Sequence, residues 1–198
     1  RRGSANYPKK PVGSYVSGAG YDYENISPYY HKSTKQLSAA QRSRLSTLKN
    51  RIRHRIGNGW PSGALEVLES LEAKRLFDAY EQDQARASIA SGYYYFGKPD
   101  LALKYASEAA KRSGKYLPQA HWTAGLTAWR LGKMDTAHKH FAALSTNKYA
   151  SSWTRTAGAF WAARIDLAAG HFEDAEKMLN RAAEYPRSFY GQLAMRAL

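Results

Sequence analysis

The sequence contains no cysteine among its 198 residues. Disulfide bonds, thiolate catalysis and zinc sites built on cysteine ligands are therefore excluded. The absence suits an oxidising compartment, in which stray thiols are a liability, although many cytosolic proteins also lack cysteine. The sequence also has no run of about 18 consecutive apolar residues. We therefore expect no transmembrane segment.

Proline and glycine are also scarce, with 7 and 15 residues, and the hydrophobic fraction is 43%. This composition argues against a wholly disordered chain and allows a sizeable core. The chain begins with Arg1 rather than Met and ends in an apolar, helix-like run. We therefore expect it to be a piece of a longer protein, from which a signal peptide would already be missing.

Acidic residues are few in the first third of the chain. The net charge is +14, and residues 1–60 hold 12 Lys and Arg against 2 Asp and Glu. Such a segment attracts polyanions, which include nucleic acid, acidic lipid headgroups and anionic cell-wall polymers. A solvated tail that only keeps the protein in solution has the same composition.

Residues 1–37 are rich in Gly, Ser, Pro and Tyr and show no period of 2 or 3.6. They predict an extended, irregular N-terminal tail without a core of its own. Its tyrosines are Tyr7, Tyr15, Tyr21, Tyr23, Tyr29 and Tyr30. We expect them to dock onto the body of the same protein or onto a partner, because Tyr is a flat amphipathic anchor. Since no RNA-binding motif frames them, nucleic-acid binding is disfavoured.

A basic amphipathic helix is predicted after the tail. Ser38 is a good N-cap, and Leu45, Leu48, Ile52 and Ile56 fall on one stripe of the helix that follows it. Most of the remaining surface of this helix is basic. Such a helix can bind a membrane surface or DNA, but it more often packs its apolar stripe against a neighbour.

One short pattern occurs three times: GKPDLA at 97–102, GKMDTA at 132–137 and GHFEDA at 170–175. A weaker copy begins at Gly59. The pattern predicts two antiparallel helices joined by a tight turn, because glycine with positive φ ends a helix and an acid favours the start of the next. Small residues that flank each turn mark the close crossing of the two helices.

A single hairpin cannot bury its apolar face alone, so we expect the hairpins to stack. The predicted fold is all-α: a right-handed α-solenoid of about four helical hairpins over residues 38–198, preceded by the tail at 1–37. The period resembles a tetratricopeptide repeat, but the aromatic residue usual four places before the glycine survives only as Tyr93. The large residues that we expect to pack between helices are Trp122, Trp129, Trp153, Phe160 and Trp161.

No catalytic, cofactor or metal site can be assembled from the sequence. His138 and His140 are two residues apart, which points them to different faces of a helix rather than to one metal ion. Glu69, in a Glu-Ser dipeptide, is predicted to be a solvated surface acid of an ordinary amphipathic segment. Arg164 and Asp166 are predicted to form a solvent-facing pair. No HExxH, Walker or GxSxG motif occurs.

Three phrases carry a family resemblance: 85–141, which includes GYYYFGKPDLALKYA; SSWTRTAGAFWAARIDLAAG at 151–170; and YPRSFYGQLAMRAL at 185–198. Together they resemble the helical superhelix of the soluble lytic murein transglycosylases. In that family, an α-solenoid precedes a lysozyme-like domain that cleaves peptidoglycan. The resemblance covers about residues 60–198, and the catalytic glutamate of the family has no counterpart here.

The resemblance implies a periplasmic, non-catalytic scaffold that positions a catalytic domain or a partner at peptidoglycan. The catalytic domain would be the protein's own, if the chain is a piece of the enzyme, or would belong to an envelope protein partner. Arg51, Arg53 and Arg55 are the candidate surface for wall material or for a partner. The alternative is a tetratricopeptide-type adaptor of an envelope complex, which binds a peptide and has no role at the cell wall.

Overall fold

The computed structural model describes residues 29–198, and this part of the chain is all-helical without a β-strand. The predicted all-α class is confirmed, whereas most of the predicted tail, residues 1–28, lies outside the described residues. Ten helices follow one another between 29 and 198: α1 (Ala39–Gly57), α2 (Pro61–Glu69), α3 (Leu71–Leu76), α4 (Ala79–Tyr95), α5 (Pro99–Ser113), α6 (Pro118–Arg130), α7 (Met134–Ser145), α8 (Ser152–Ala169), α9 (Phe172–Ala183) and α10 (Phe189–Ala197). Within 29–198, no helix is both long and apolar enough to cross a membrane.

Local side-chain chemistry sets the starts of these helices. Ser38 caps α1 in a capping box with Gln41, as the sequence predicted for its N-cap. Ser70 separates α2 from α3, because its hydroxyl accepts a hydrogen bond from the N–H of Ala73 and caps the second helix. The amphipathic segment around Glu69 therefore folds as two short helices.

The repeated glycines end helices as predicted. Gly59, Gly97, Gly132 and Gly170 have φ between 71° and 78°. They join α1 to α2, α4 to α5, α6 to α7 and α8 to α9. An acid lies in the first turn of the helix that follows each of the last three turns. Its charge is favoured there by the helix dipole.

We expect Gly132→Ala to lower the free energy of unfolding by about 1 kcal/mol, the cost of placing an L-residue in the left-handed region. A Cβ at Gly132 would meet nothing within 4 Å, so the cost is that of the backbone alone. Gly57→Ala is the matched control, because its Cβ also meets nothing and its φ is not positive. Urea denaturation should show that Gly57→Ala leaves the free energy of unfolding unchanged or raises it. Equal effects of the two substitutions would contradict the backbone explanation.

Alanine forms most of the contact between helices. Ala90, Ala102, Ala137 and Ala163, which occupy the predicted small positions, have no exposed surface. At another such position, a Cβ on Gly125 would lie 2.7 Å from the ring of Phe141. Helices whose contact residues are small can approach closely, and the interior leaves little free volume.

The large aromatic residues predicted to pack between helices do contact rings of other helices, but two of the tryptophans keep much of their surface open. Trp129 is 38% exposed and Trp153 is 48% exposed. Trp122, Phe160 and Trp161 are only partly buried against the core. The rings of Trp129 and Trp153 both pack against an indole of another helix, and the rest of each one faces solvent.

From α4 onwards, each helix packs against the next one along the chain, and further contacts join α2 to α4, α4 to α6 and α8 to α10. Large rings connect α6 to α8. Contacts thus connect α4, α6, α8 and α10 in series, and we call these four helices the row. This row positions the candidate site.

Candidate functional site

Two of the three arginines proposed from the sequence are accessible on α1. Arg51 and Arg53 are exposed, and neither makes an ion pair with an acid among residues 29–198. Arg53 donates a hydrogen bond to the side-chain oxygen of Asn50. The opposite stripe, with Leu45, Leu48 and Ile52, is buried as predicted. α1 therefore packs by its apolar stripe and presents these two cations to solvent.

Arg55 has a different environment. Its guanidinium lies 4.4 Å from the ring centre of Trp60, donates a hydrogen bond to the carbonyl of Gly63 and lies 3.4 Å from a carboxylate oxygen of Glu66. Arg55 thus connects α1 to α2. A substitution there would disturb the packing of this hairpin, so Arg51 and Arg53 are the informative members of the predicted set.

A continuous group of rings lies on α6, α8 and α10. We call it the aromatic face; its members are Trp122, Trp129, Trp153, Phe160, Trp161, Phe189 and Tyr190. Ring centres are 5.0 Å apart for Trp129 and Trp161, and 5.7 Å apart for Trp153 and Tyr190. The indole N–H of Trp161 donates to the Tyr190 hydroxyl at 3.4 Å. Mostly edge-on contacts of this kind fix the rings while leaving part of each open.

Arg164 lies beside the aromatic face, and Arg130 follows Trp129 on α6. The guanidinium of Arg164 is 4.8 Å from the ring centre of Trp161 and 6.0 Å from that of Trp129. Arg130, on α6, lies 5.7 Å from the ring centre of Tyr94. Both side chains are exposed, and neither makes an ion pair with an acid in the part of the chain that the structure describes. The aromatic face therefore has free positive charge at its edge.

The predicted solvent-facing pair of Arg164 and Asp166 is wrong. Asp166 is buried and accepts a hydrogen bond from His138 on α7, with 3.0 Å between the ring nitrogen and a carboxylate oxygen. Residues two apart on a helix point to different faces. Arg164 is consequently left to stack on the tryptophans.

The N-terminal segment, residues 29–37, is not helical and lies on the helical body. The ring of Tyr29 stacks on Tyr116 with centres 4.1 Å apart and also contacts Tyr80 and Tyr149, at 5.3 and 5.4 Å. The predicted docking of tail tyrosines is confirmed for Tyr29, whereas Tyr30 is exposed. The other tail tyrosines lie outside the described residues.

Asp78 anchors the same segment. Its buried carboxylate accepts hydrogen bonds from His31 at 2.7 Å and from the N–H of Thr34 at 2.9 Å, and it caps α4 through the N–H of Glu81. Burial alone would raise the pKa of Asp78, but the hydrogen bonds from Glu81, Thr34 and His31 lower it to about 2. The segment is thus held by an ionised carboxylate.

Three of the histidines lie in two separate contacts. His138 faces Asp166, whereas His140 faces His121 with 3.1 Å between their Nδ1 atoms, so the predicted divergence of His138 and His140 is confirmed. Across residues 29–198, no three His, Asp or Glu side chains are arranged to hold a metal ion. Glu69 is exposed, as predicted.

Comparison of the chain with models of protein families, with curated proteins and with solved structures finds no match. The spacing of large aromatic residues in the sequence is a signal for the aromatic face. Trp122 and Trp129 are seven residues apart, as are Trp153 and Phe160, so each pair lies on one side of its helix.

Proposed function

We propose that this chain is the non-catalytic helical scaffold of a periplasmic protein similar to the soluble lytic murein transglycosylases. Its hairpins stack as a right-handed, divergent tetratricopeptide-like solenoid. The solenoid positions a catalytic domain, its own or a partner's, at peptidoglycan. The observation that carries the proposal is the aromatic face on the row of helices, where Trp129 and Trp153 remain partly open to solvent.

The regular hairpins support the scaffold part of this proposal. Four turns between consecutive helices share the same glycine conformation, as expected of a repeated hairpin. Repeated pairs that contact mainly their neighbours are typical of solenoids, which use an extended surface for binding. The exposed Arg51 and Arg53 on α1 would attract the anionic wall polymer electrostatically.

A pull-down on purified peptidoglycan sacculi, repeated over a salt titration, tests this proposal. We expect the wild-type chain to bind, and binding to weaken as salt shortens the screening length to below about 8 Å. The double substitution Arg51→Ala/Arg53→Ala should reduce the bound fraction further. Lys104→Ala/Lys111→Ala is the matched control, because it removes two exposed charges from α5.

Two results would contradict the wall-binding role. One is no retention on sacculi at low salt. The other is retention that ignores both salt and the two arginine substitutions. If the α1 and α5 variants lose binding equally, net charge rather than the α1 surface attracts the polymer.

A second candidate function is a tetratricopeptide-type adaptor that binds a peptide. The observation that favours it is the N-terminal segment itself, because this non-helical stretch already lies on the helical body through Tyr29 and Asp78. Co-purification from envelope extracts distinguishes the two functions. An adaptor should co-purify with one protein in stoichiometric amount and with no glycan.

A further inference from the structure

The aromatic face has the chemistry of a sugar-binding surface. A pyranose ring carries a patch of C–H groups on one side and hydroxyl groups at its rim. The negative face of an aromatic ring attracts such C–H groups, while the hydroxyls stay in water or bind polar neighbours. Trp129 and Trp153 leave 38% and 48% of their surface open. They lie on adjacent members of the row, α6 and α8.

The rings are held in place, so binding would not have to order them. Trp153 contacts Trp122 and Tyr190, and Trp129 contacts Trp161, all as edge-on pairs. Side chains that are already fixed lose little conformational entropy when a ligand binds. This distinguishes the aromatic face from exposed rings that contact no other ring within residues 29–198, such as that of Phe172.

The charge around the aromatic face favours an anionic ligand with widely spaced charges. α6, α8 and α10 together carry four arginines and one acid, Asp166, which is paired with His138. Of these arginines, Arg164 is exposed beside the rings, and Arg130 is exposed at the end of α6 next to Trp129; neither has an acid partner among residues 29–198. A nucleic acid has a phosphate at every residue and needs a denser track of cations.

We infer that the aromatic face binds the glycan strand of a polysaccharide that carries carboxylates at intervals. Its sugar rings stack on Trp129 and Trp153, and Arg164 pairs with a carboxylate of the strand. The inference rests on the proposed function for the identity of this polysaccharide, which is the peptidoglycan glycan. The stacking surface itself follows from the structure alone.

Titration of the full chain with soluble, peptide-free peptidoglycan glycan strands, followed by calorimetry, tests the inference. We expect Trp153→Ala and Trp129→Ala each to weaken binding by about three- to tenfold. Trp60→Ala is the matched control, because Trp60 is also 48% exposed but lies at the α1–α2 turn. This variant should bind the glycan strands with the affinity of the wild type. Arg164→Gln should weaken binding of the glycan strands and leave that of neutral chitohexaose unchanged.

Unchanged affinity in both aromatic-face variants would overturn the inference, as would tighter binding of single-stranded RNA or of an unrelated peptide than of the glycan. Circular dichroism checks that the variants fold, and Trp153→Phe should restore part of the affinity. Retention on sacculi without binding of the free strands would overturn the inference and leave the proposed function standing. Binding of the strands at Trp153 without retention on sacculi supports the inference and contradicts the proposed function.

Discussion

Arg112→Ala is expected to lower the free energy of unfolding by about 3 kcal/mol, because it removes one partner of a buried charge. The charge belongs to Asp83 in α4, whose side chain has no exposed surface. Arg112, at the end of α5, donates to both carboxylate oxygens, at 2.6 and 2.8 Å. Arg86 and Ser113 donate the remaining hydrogen bonds.

The loss of stability arises because the buried carboxylate of Asp83 stays in place when Arg112 is removed. Without Arg112, Asp83 keeps two donors but loses its bidentate partner, although its own side chain has no exposed surface in the folded chain. In an Asp83→Asn background, no charge remains to be compensated, so Arg112→Ala should cost clearly less. The difference between the two costs measures the coupling of the pair.

Arg44→Ala is the matched control for the loss of an arginine. Arg44 pairs with Glu72 at 2.8 Å, but both side chains are exposed, by 67% and 41%. Such pairs contribute at most about 1 kcal/mol. Urea unfolding followed by tryptophan fluorescence should separate the two variants. Equal midpoints for Arg112→Ala and Arg44→Ala would show that the Asp83 cluster is not a stabilising element.

The helical hairpins could be predicted because they depend on local sterics. Only glycine adopts the φ of the turns at Gly97, Gly132 and Gly170 at no steric cost. Alanine at fixed distances from each glycine identifies the crossing of two helices. The positions of the tryptophans could not be predicted in the same way. Periodicity shows that Trp122 and Trp129 share a side of a helix, but not whether a neighbouring helix covers that side.

The candidate site could be predicted only in part, because its partners come from distant parts of the chain. The exposure of Arg51 and Arg53 follows from the apolar stripe on the opposite side of α1. The Arg55 contact with Glu66 depends on how α1 folds back on α2. Tyr29 packs against Tyr116 and Tyr149, which lie about 90 and 120 residues further along the chain. No local pattern in the sequence encodes these contacts.

The protein is expected to lose about 3 kcal/mol of stability as the pH falls from 6.5 to 4, because His140 must stay neutral in the folded state. Burial, together with the charges of His121 and Lys139, lowers the pKa of His140 from 6.5 to about 4. Burial also lowers the pKa of His121. Because the Nδ1 atoms of the two rings are 3.1 Å apart, one must donate and the other accept, which two protonated rings cannot do.

The direction of this change in stability with pH follows from proton binding in the folded and unfolded states. Above pH 6.5, His140 is neutral in both the folded and the unfolded chain, so its contribution is constant. Between 6.5 and 4, the unfolded chain binds a proton that the folded chain does not, and stability falls with pH. The carboxyl of Asp78 acts in a lower pH range. Its contribution to the stability of the fold is present above pH 3.8 and is lost as the pH falls towards 2.

His140→Gln should therefore flatten the pH dependence of stability between 6.5 and 4, even if it lowers stability at neutral pH. Urea denaturation at a series of pH values measures this slope directly. His54→Gln is the control, because His54 is exposed on α1 and should leave the slope unchanged. If His140→Gln keeps the slope of the wild type, the buried pair does not carry the proton linkage. If instead both substitutions reduce the slope equally, the linkage comes from histidine content rather than from the contact between His121 and His140.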